Sequence, residues 1–259
     1  MSLVFWLVLA CSDKRVPDGL VPPPRPPSMV VASEKDVAKW LIRAAGAEAA
    51  RDLVNADEAW AWVQTLAPND PILAAKYARY LVRTRRPTEA LAALEGVAQA
   101  PLGDLARGEA LLALDRGDEA IVPLEGAGSA GLWEAWVTLF DARLAVGDRD
   151  GATRVVSEHW TGPTSTATEA RARGLRRAGV GLDATGDLLI GVEAPIAGPE
   201  DGVRLVEQAA RACRLAEVRA TAARLDWAGQ AAWAPAVTAL DLASPCATEP
   251  AYAPAPGGP

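Results

Sequence analysis

Side chains able to do acid–base or nucleophilic chemistry are sparse in this sequence. Among its 259 residues there are one histidine and three cysteines. Catalysis by a Ser–His–Asp arrangement would have to use His159, whose neighbours in the sequence are Ser157 and Glu158. The position of His159 near the end of a predicted helix favours a packed or capping role. Histidine-based catalysis is therefore not expected.

A glycine-rich segment at residues 126–131 fits the GxGxxG pattern, which cradles the pyrophosphate of a dinucleotide. That role needs a preceding strand, and the candidate at residues 121–124 is interrupted by Pro123. We interpret the segment as a flexible connection and predict no cofactor. Nor do we predict a metal site, because the chain has no CxxC motif and no cysteine near His159.

The composition limits the partners and the fold class that can be expected for this protein. The 26 basic and 33 acidic side chains give a net charge of −7. Because an acidic surface repels phosphate, no nucleic-acid partner is expected. About a fifth of the residues are alanine, which has the highest helix propensity, so an all-α fold is favoured.

The N-terminus carries a candidate lipid anchor. An apolar run at residues 3–10 ends at Cys11, and it is too short to span a bilayer as a helix. The segment Val8-Leu9-Ala10-Cys11 resembles a bacterial lipobox. This resemblance implies that residues 1–10 are a lipoprotein signal peptide, that Cys11 is lipidated and that Ser12 directs the protein to the outer membrane. The alternative is a buried N-terminal helix in which Cys11 is merely apolar.

Both ends of the remaining chain are rich in proline. Residues 11–32 are interpreted as a Pro-rich tether and residues 244–259 as a disordered Pro/Ala-rich tail. In an oxidising envelope compartment, Cys213 and Cys246 could form one disulfide that pins the tail to a helix. Two separate buried thiols remain the alternative, because no spacing rule supports the pair.

Residues between the two ends repeat. Ala59, Ala90, Ala120 and Ala152 are each followed by an apolar residue four positions later, and their spacings are 31, 30 and 32 residues. A period near 30 with two helices per unit is typical of a helical solenoid, in which each unit buries its apolar face by stacking on its neighbours. First helices are predicted at 71–84, 103–115 and 131–145, and their partners at 88–100, 118–125 and 149–160.

The sequence resembles the tetratricopeptide repeat family in the stretches at residues 57–71, 110–121 and 144–152. They resemble the end of that family's second helix and its Gly-Asp turn. The resemblance covers about residues 57–163 and implies a right-handed α-solenoid of tetratricopeptide-like helix pairs over 33–163. Sel1-like or other α-solenoid repeats are the alternative.

Residues 164–243 are predicted to form a C-terminal helical region that caps the solenoid. Residues 169–177 indicate a basic helix, whose arginines face either solvent or anionic lipid heads. Residues 188–192 fit either a short strand or a helix broken by glycine. Residues 200–225 indicate a helical region that breaks near Cys213, and residues 228–242 indicate another helix.

Two sets of side chains could form a partner-binding groove, because first helices line the groove in tetratricopeptide-like solenoids. Lys76, Arg79 and Arg83 share one helix face beside Tyr77 and Tyr80 and suit an acidic or C-terminal carboxylate. A solvated basic face is the simpler interpretation. The second set consists of two tryptophans one turn apart, which are more often core residues than binding residues: Trp133 and Trp136.

These features predict a lipid-anchored outer-membrane lipoprotein of the bacterial envelope. It would act as a non-enzymatic helical-repeat adaptor that binds a protein or peptide in the assembly or secretion of envelope components. The alternative is an envelope enzyme or small-ligand binder that acts on cell-wall glycan through carboxylates in residues 183–226. That enzyme would need two acids close together in a cleft, one of them with a raised pKa.

Overall fold

The computed structural model describes residues 34–243, and this part of the chain contains thirteen α-helices and no strand. The predicted all-α class is confirmed. No helix in this range is long and apolar enough to cross a membrane. The signal peptide, Cys11, the tether and the tail with Cys246 lie outside the described residues. The described part of the chain divides into two compact units, one that ends at residue 68 and one that begins at residue 69.

The first unit contains two helices that pack on each other, α1 (Glu34–Ala49) and α2 (Leu53–Leu66). The residues fully buried in this unit are small: Ala44, Ala56, Ala59 and Val63. The indole nitrogen of Trp60 donates a hydrogen bond to Glu48 across the pair, at 2.8 Å. Small buried side chains let the two helices approach closely, so the predicted repeat residue Ala59 serves packing.

The second unit contains eleven α-helices between residues 69 and 243. They are α3 (Pro71–Arg83), α4 (Pro87–Ala93), α5 (Pro101–Ala113), α6 (Gly117–Ser129), α7 (Trp133–Ala145), α8 (Arg149–Arg154), α9 (Ala167–Gly179), α10 (Thr185–Gly191), α11 (Pro199–Arg211), α12 (Leu215–Arg224) and α13 (Ala234–Leu242). A π-helical segment, Val155–His159, continues α8, and a 3₁₀ turn, Ala231–Trp233, precedes α13.

The predicted helix pairs between residues 71 and 160 are found in the second unit. The predicted first helices correspond to α3, α5 and α7, and their partners to α4, α6 and α8 with the π-helical segment. One interpretation was wrong: the glycine-rich segment 126–131 is helical through Ser129 and is not a flexible connection. Gly128 is buried in α6, where a side chain would collide with the Trp136 ring.

The same turn joins the first helix to the second in every pair. One residue of each turn has a positive φ: Arg51, Arg85, Asp115, Gly147, Gly181 and Cys213. The next amide donates to the carbonyl five residues earlier, as in Arg86 to Leu81 and Arg214 to Ala209, both at 2.8 Å. This is the Schellman pattern, which satisfies carbonyls left free at the end of a helix. The turn residues are 34, 30, 32, 34 and 32 positions apart.

The C-terminal region therefore contains helix pairs of the same local design. Gly181 joins α9 to α10, and Cys213 joins α11 to α12. Residues 188–192 begin in the helix α10 and form no strand. The predicted break near Cys213 is confirmed. Cys213 is disulfide-bonded, but the pairing with Cys246 stays a prediction because Cys246 lies outside the described residues.

The turn geometry predicts opposite effects for two matched substitutions. Gly147→Ala places a side chain at a φ of +81°, with no other atom within 4 Å, so only the backbone is strained. We expect the free energy of unfolding to fall by about 1 kcal/mol. Asp115→Gly relieves the same strain at a φ of +58°, and we expect a gain of up to about 1 kcal/mol. Urea denaturation measures both; a loss of stability in Asp115→Gly would contradict this account of the turn.

Contacts in the second unit follow the order of the chain. Helix α3 contacts α5, α5 contacts α7 and α7 contacts α9, whereas α4, α6 and α8 make no extensive contact with one another in the described part of the unit. The repeat residues Ala90, Ala120 and Ala152 are fully buried. First helices thus stack side by side, with small residues of the second helices packed against them.

Candidate functional site

Helix α9 lies between two hydrophobic clusters of the second unit. Ala172 and Val180 pack against the cluster that extends from Leu105 to Trp160 in the sequence. Leu175 and Ala178, on the same segment, pack against the cluster formed by α10 to α13. A helix in this position has little exposed surface, so its four arginines must find partners within the protein.

Arg173 is the most buried of these arginines. Its Nε and Nη2 donate to the two carboxylate oxygens of Asp187 on α10, at 3.0 and 2.6 Å. Its Nη1 donates to the carbonyl of Gly162 at 2.8 Å and lies 3.4 Å from that of Trp160. The side chains of Arg173 and Asp187 are 9% and 11% exposed. The fork of the guanidinium thus fixes α9, α10 and the segment after the π-helix in one arrangement.

Glu169 extends this buried network by one turn of α9. It accepts hydrogen bonds from the indole of Trp160 at 3.1 Å and from the amide and hydroxyl of Ser165, both at 2.7 Å. Burial opposes ionisation of Glu169, but these hydrogen bonds, assisted by Arg173, outweigh it and lower its pKa. Glu169 is therefore a charged structural acceptor in the folded protein.

The other three arginines of α9 also bind within the protein. Arg171 pairs with the buried Asp201 of α11, and Arg176 with Asp141 of α7, each at 2.8 Å. Arg177 donates to the carbonyls of Asp183 and Val156. Both sequence interpretations of these arginines were wrong, since they face neither open solvent nor a free lipid-binding surface. Most of their partners are distant in the sequence, so periodicity could not reveal them.

Several carboxylates in residues 183–226, the candidates for glycan hydrolysis, are also held by hydrogen bonds or ion pairs within the protein. Glu217 is bonded to Arg214 at 2.6 Å, which lowers the pKa of Glu217. Burial opposes ionisation of Asp183, but hydrogen bonds from the amide and hydroxyl of Thr185 outweigh it and lower the pKa. A general acid needs a raised pKa. These contacts favour structural roles for Glu217 and Asp183.

Trp133 and Trp136, predicted as groove residues, join α7 to the π-helical segment. Trp133 stacks on Trp160 with 6.3 Å between ring centroids, and Trp136 stacks on His159 at 5.9 Å. The ring of Trp136 also lies against Gly128. The ring of His159 remains exposed while it packs on Trp136. The π-helical segment and the residue directly after it thus place the rings of His159 and Trp160 against α7.

Part of the basic stripe on α3 is engaged within the protein. Lys76 and Arg83 are exposed, and Arg79 donates two hydrogen bonds of 2.9 Å to Glu109 of α5. Tyr80 is buried and Tyr77 stacks on it. Helices α3 and α7 make no extensive contact, so the structure does not bring this stripe together with Trp133 and Trp136.

A pocket between α7 and α9 is the candidate site that sequence reasoning missed. It has a volume of about 210 Å³ and lies among the C-terminal halves of these helices and the first residue of α8. Its walls are mainly apolar, with two arginines among the lining residues: Phe140, Leu144, Arg149, Leu175, Arg176, Gly179 and Val180. The lining comes from three helices, so no single motif in the sequence signals it.

The two arginines of the pocket differ in their bonding. Arg176 is bound to Asp141, and its guanidinium lies 5.7 Å from the centre of the Phe140 ring. Arg149 is exposed and makes no side-chain hydrogen bond or ion pair within residues 34–243. The pocket thus offers an apolar cavity beside one arginine that has no ion-pair partner in the described residues, an arrangement suited to an apolar group with a neighbouring anion.

Comparison with family models, curated proteins and solved structures finds no match to this chain.

Proposed function

We propose that this protein is a helical-repeat adaptor of the bacterial cell envelope that binds a protein partner. The observation that carries the proposal is the series of helix pairs joined by one recurring turn, with α3, α5, α7 and α9 stacked in a row. Stacking of this kind suits a tetratricopeptide-like right-handed solenoid. Such solenoids present extended binding surfaces formed by several repeats.

Exposed groups on the row of first helices support a role in binding. Lys76 and Arg83 of α3 are exposed, and Leu144 of α7 is 43% exposed beside the pocket. A partner that lies across the row could contact a charged stripe and an apolar pocket in one binding event. Its class would be a protein or an extended peptide, acting in the assembly or secretion of envelope components.

Capture in the native envelope tests the adaptor proposal. We expect crosslinking to capture a specific protein, and the double variant Lys76→Glu/Arg83→Glu to reduce capture about tenfold or more, because charge reversal repels an acidic partner. The control is Arg204→Glu/Arg211→Glu on α11, which has the same spacing, exposure and charge change. Absence of a specific captured protein, or equal capture by both double variants, would overturn the proposal.

The location of the protein is a separate proposal and rests on the lipobox resemblance at Cys11, which lies outside the described residues. A diacylated N-terminus would hold the protein at the membrane surface. We expect Cys11→Ser to move the protein from the membrane fraction to the soluble fraction, as measured by fractionation and immunoblotting. A Cys213→Ser variant, which removes a different cysteine, is expected to stay with the membrane. Retention of Cys11→Ser in the membrane would refute the anchor.

A further inference from the structure

The pocket between α7 and α9 has dimensions that restrict its occupant. Its volume of about 210 Å³ is below the roughly 300–1,000 Å³ of sites that enclose whole small molecules. Leu144 on its rim is 43% exposed, so the cavity is shallow. A cavity of this kind takes one side chain of a longer molecule, which gains further contacts outside the pocket.

The chemistry of the lining indicates which side chain this would be. Phe140, Leu144, Leu175 and Val180 form apolar walls. A polar side chain would lose its hydrogen bonds with water there, whereas an aliphatic one would remove apolar surface from water. An aliphatic residue such as Leu, Ile, Val or Met therefore matches the cavity.

The charges around the pocket indicate where a charged group of the bound molecule would lie. Arg143, on the same helix as Leu144, is bonded to Glu125 and Asp148, both at 2.6 Å, and Arg176 is bonded to Asp141. Arg149 differs from these two arginines because its guanidinium has no ion-pair partner in the described residues. A carboxylate of the bound molecule would supply the missing counter-charge.

We infer that this pocket recognises a peptide segment in which an aliphatic side chain fills the cavity and a neighbouring acidic side chain pairs with Arg149. The inference rests on the proposed adaptor function and specifies the chemistry of its partner. A peptide fits better than a free small acid, because so shallow a cavity could not bury most of a small ligand's surface.

Selection of random dodecapeptides displayed on phage, with the full-length chain as target, tests the inference. We expect enriched peptides to share an aliphatic residue with Asp or Glu one to three positions away. Synthetic copies are then measured by fluorescence anisotropy. Leu144→Asp is expected to weaken binding about tenfold or more, because it places a charge on the apolar rim. Enrichment of no peptide, or of peptides without this pair of residues, would overturn the inference.

Two arginines of α8 provide a matched comparison. Arg149 lines the pocket, and Arg154 is exposed on the same helix outside the lining. We expect Arg149→Gln to weaken peptide binding about fivefold, as an exposed ion pair contributes modestly, and Arg154→Gln to change it less than twofold. Replacing the peptide's acid by its amide should abolish the difference between wild type and Arg149→Gln. Equal effects of the two arginine variants, or hexanoate competing as well as the peptide, would overturn the inference.

The outcomes for the pocket and for the adaptor are distinguishable. If envelope crosslinking captures a partner that Leu144→Asp still binds fully, the pocket inference fails and the adaptor proposal stands. If selected peptides bind the pocket but no envelope protein is captured, the adaptor proposal fails and the pocket's specificity stands. Circular dichroism of each variant verifies that the helices remain folded.

Discussion

The variant Arg173→Met is expected to lower the free energy of unfolding by about 3–5 kcal/mol. The substitution keeps an apolar stem of similar length but removes both hydrogen bonds to Asp187 and the bond to the carbonyl of Gly162. Asp187 is then a buried carboxylate without its principal counter-charge, which is the costly outcome when one partner of a buried ion pair is removed. Urea denaturation followed by tryptophan fluorescence measures the change.

The control for this prediction lies one turn away on the same helix. Arg176 pairs with Asp141, whose side chain is 47% exposed. We expect Arg176→Met to cost about 1 kcal/mol, because Asp141 can be hydrated when its partner is lost. The double variant Arg173→Met/Asp187→Leu should recover part of the stability, since it leaves no buried charge. A loss below about 1 kcal/mol for Arg173→Met would show that the buried pair does not fix α9.

The second large effect is expected from Gly191→Ala at the end of α10. A Cβ at this position would lie 2.7 Å from the Cα of Arg171 and 2.9 Å from its amide nitrogen. Those are backbone atoms of α9, so relief requires the two helices to separate. We expect a loss of about 2–3 kcal/mol, the range typical of overpacking in a well-packed core. Thermal or urea denaturation measures it.

A glycine at the equivalent end of α9 supplies the comparison for Gly191. Gly179 is also the last residue of its helix, and no other atom lies within 4 Å of the position that its Cβ would take. We expect Gly179→Ala to be neutral or stabilising by up to about 1 kcal/mol, because alanine favours the helix. If the two substitutions changed the free energy of unfolding by similar amounts, the close approach of α9 and α10 would not explain the glycine at position 191.

Helix positions in the repeats were predictable because their signals are local. Pro71 begins α3, and Asp70 accepts hydrogen bonds from the amides of Ile72 and Leu73, as expected of an N-cap. The prediction for α5 began two residues late, because Pro101 is the first residue of that helix and not the end of the preceding one. Proline occurs both in the first turn of a helix and just after the end of one, so the sequence alone does not decide where such a helix begins.

Side-chain partners were much less predictable than helix positions. The four arginines of α9 form a basic group in the sequence, yet Arg173 pairs with Asp187 fourteen residues away and Arg176 with Asp141 thirty-five residues away. Composition gives the number of charges but not their burial. Burial depends on which helices pack on α9, and that is a long-range property of the fold.

The sequence by itself determined the all-α class, the helix pairs between residues 71 and 160 and the positions of most of their turns. These depend on local preferences: alanine in helices, proline in the first turn and glycine or another residue with positive φ at the end. Only the tertiary structure decided that the arginines of α9 are bound within the protein, that Trp136 contacts both Gly128 and His159, and that α7 and α9 form a pocket lined also by Arg149. Each of these features joins residues from different helices, so it exists only once those helices have packed.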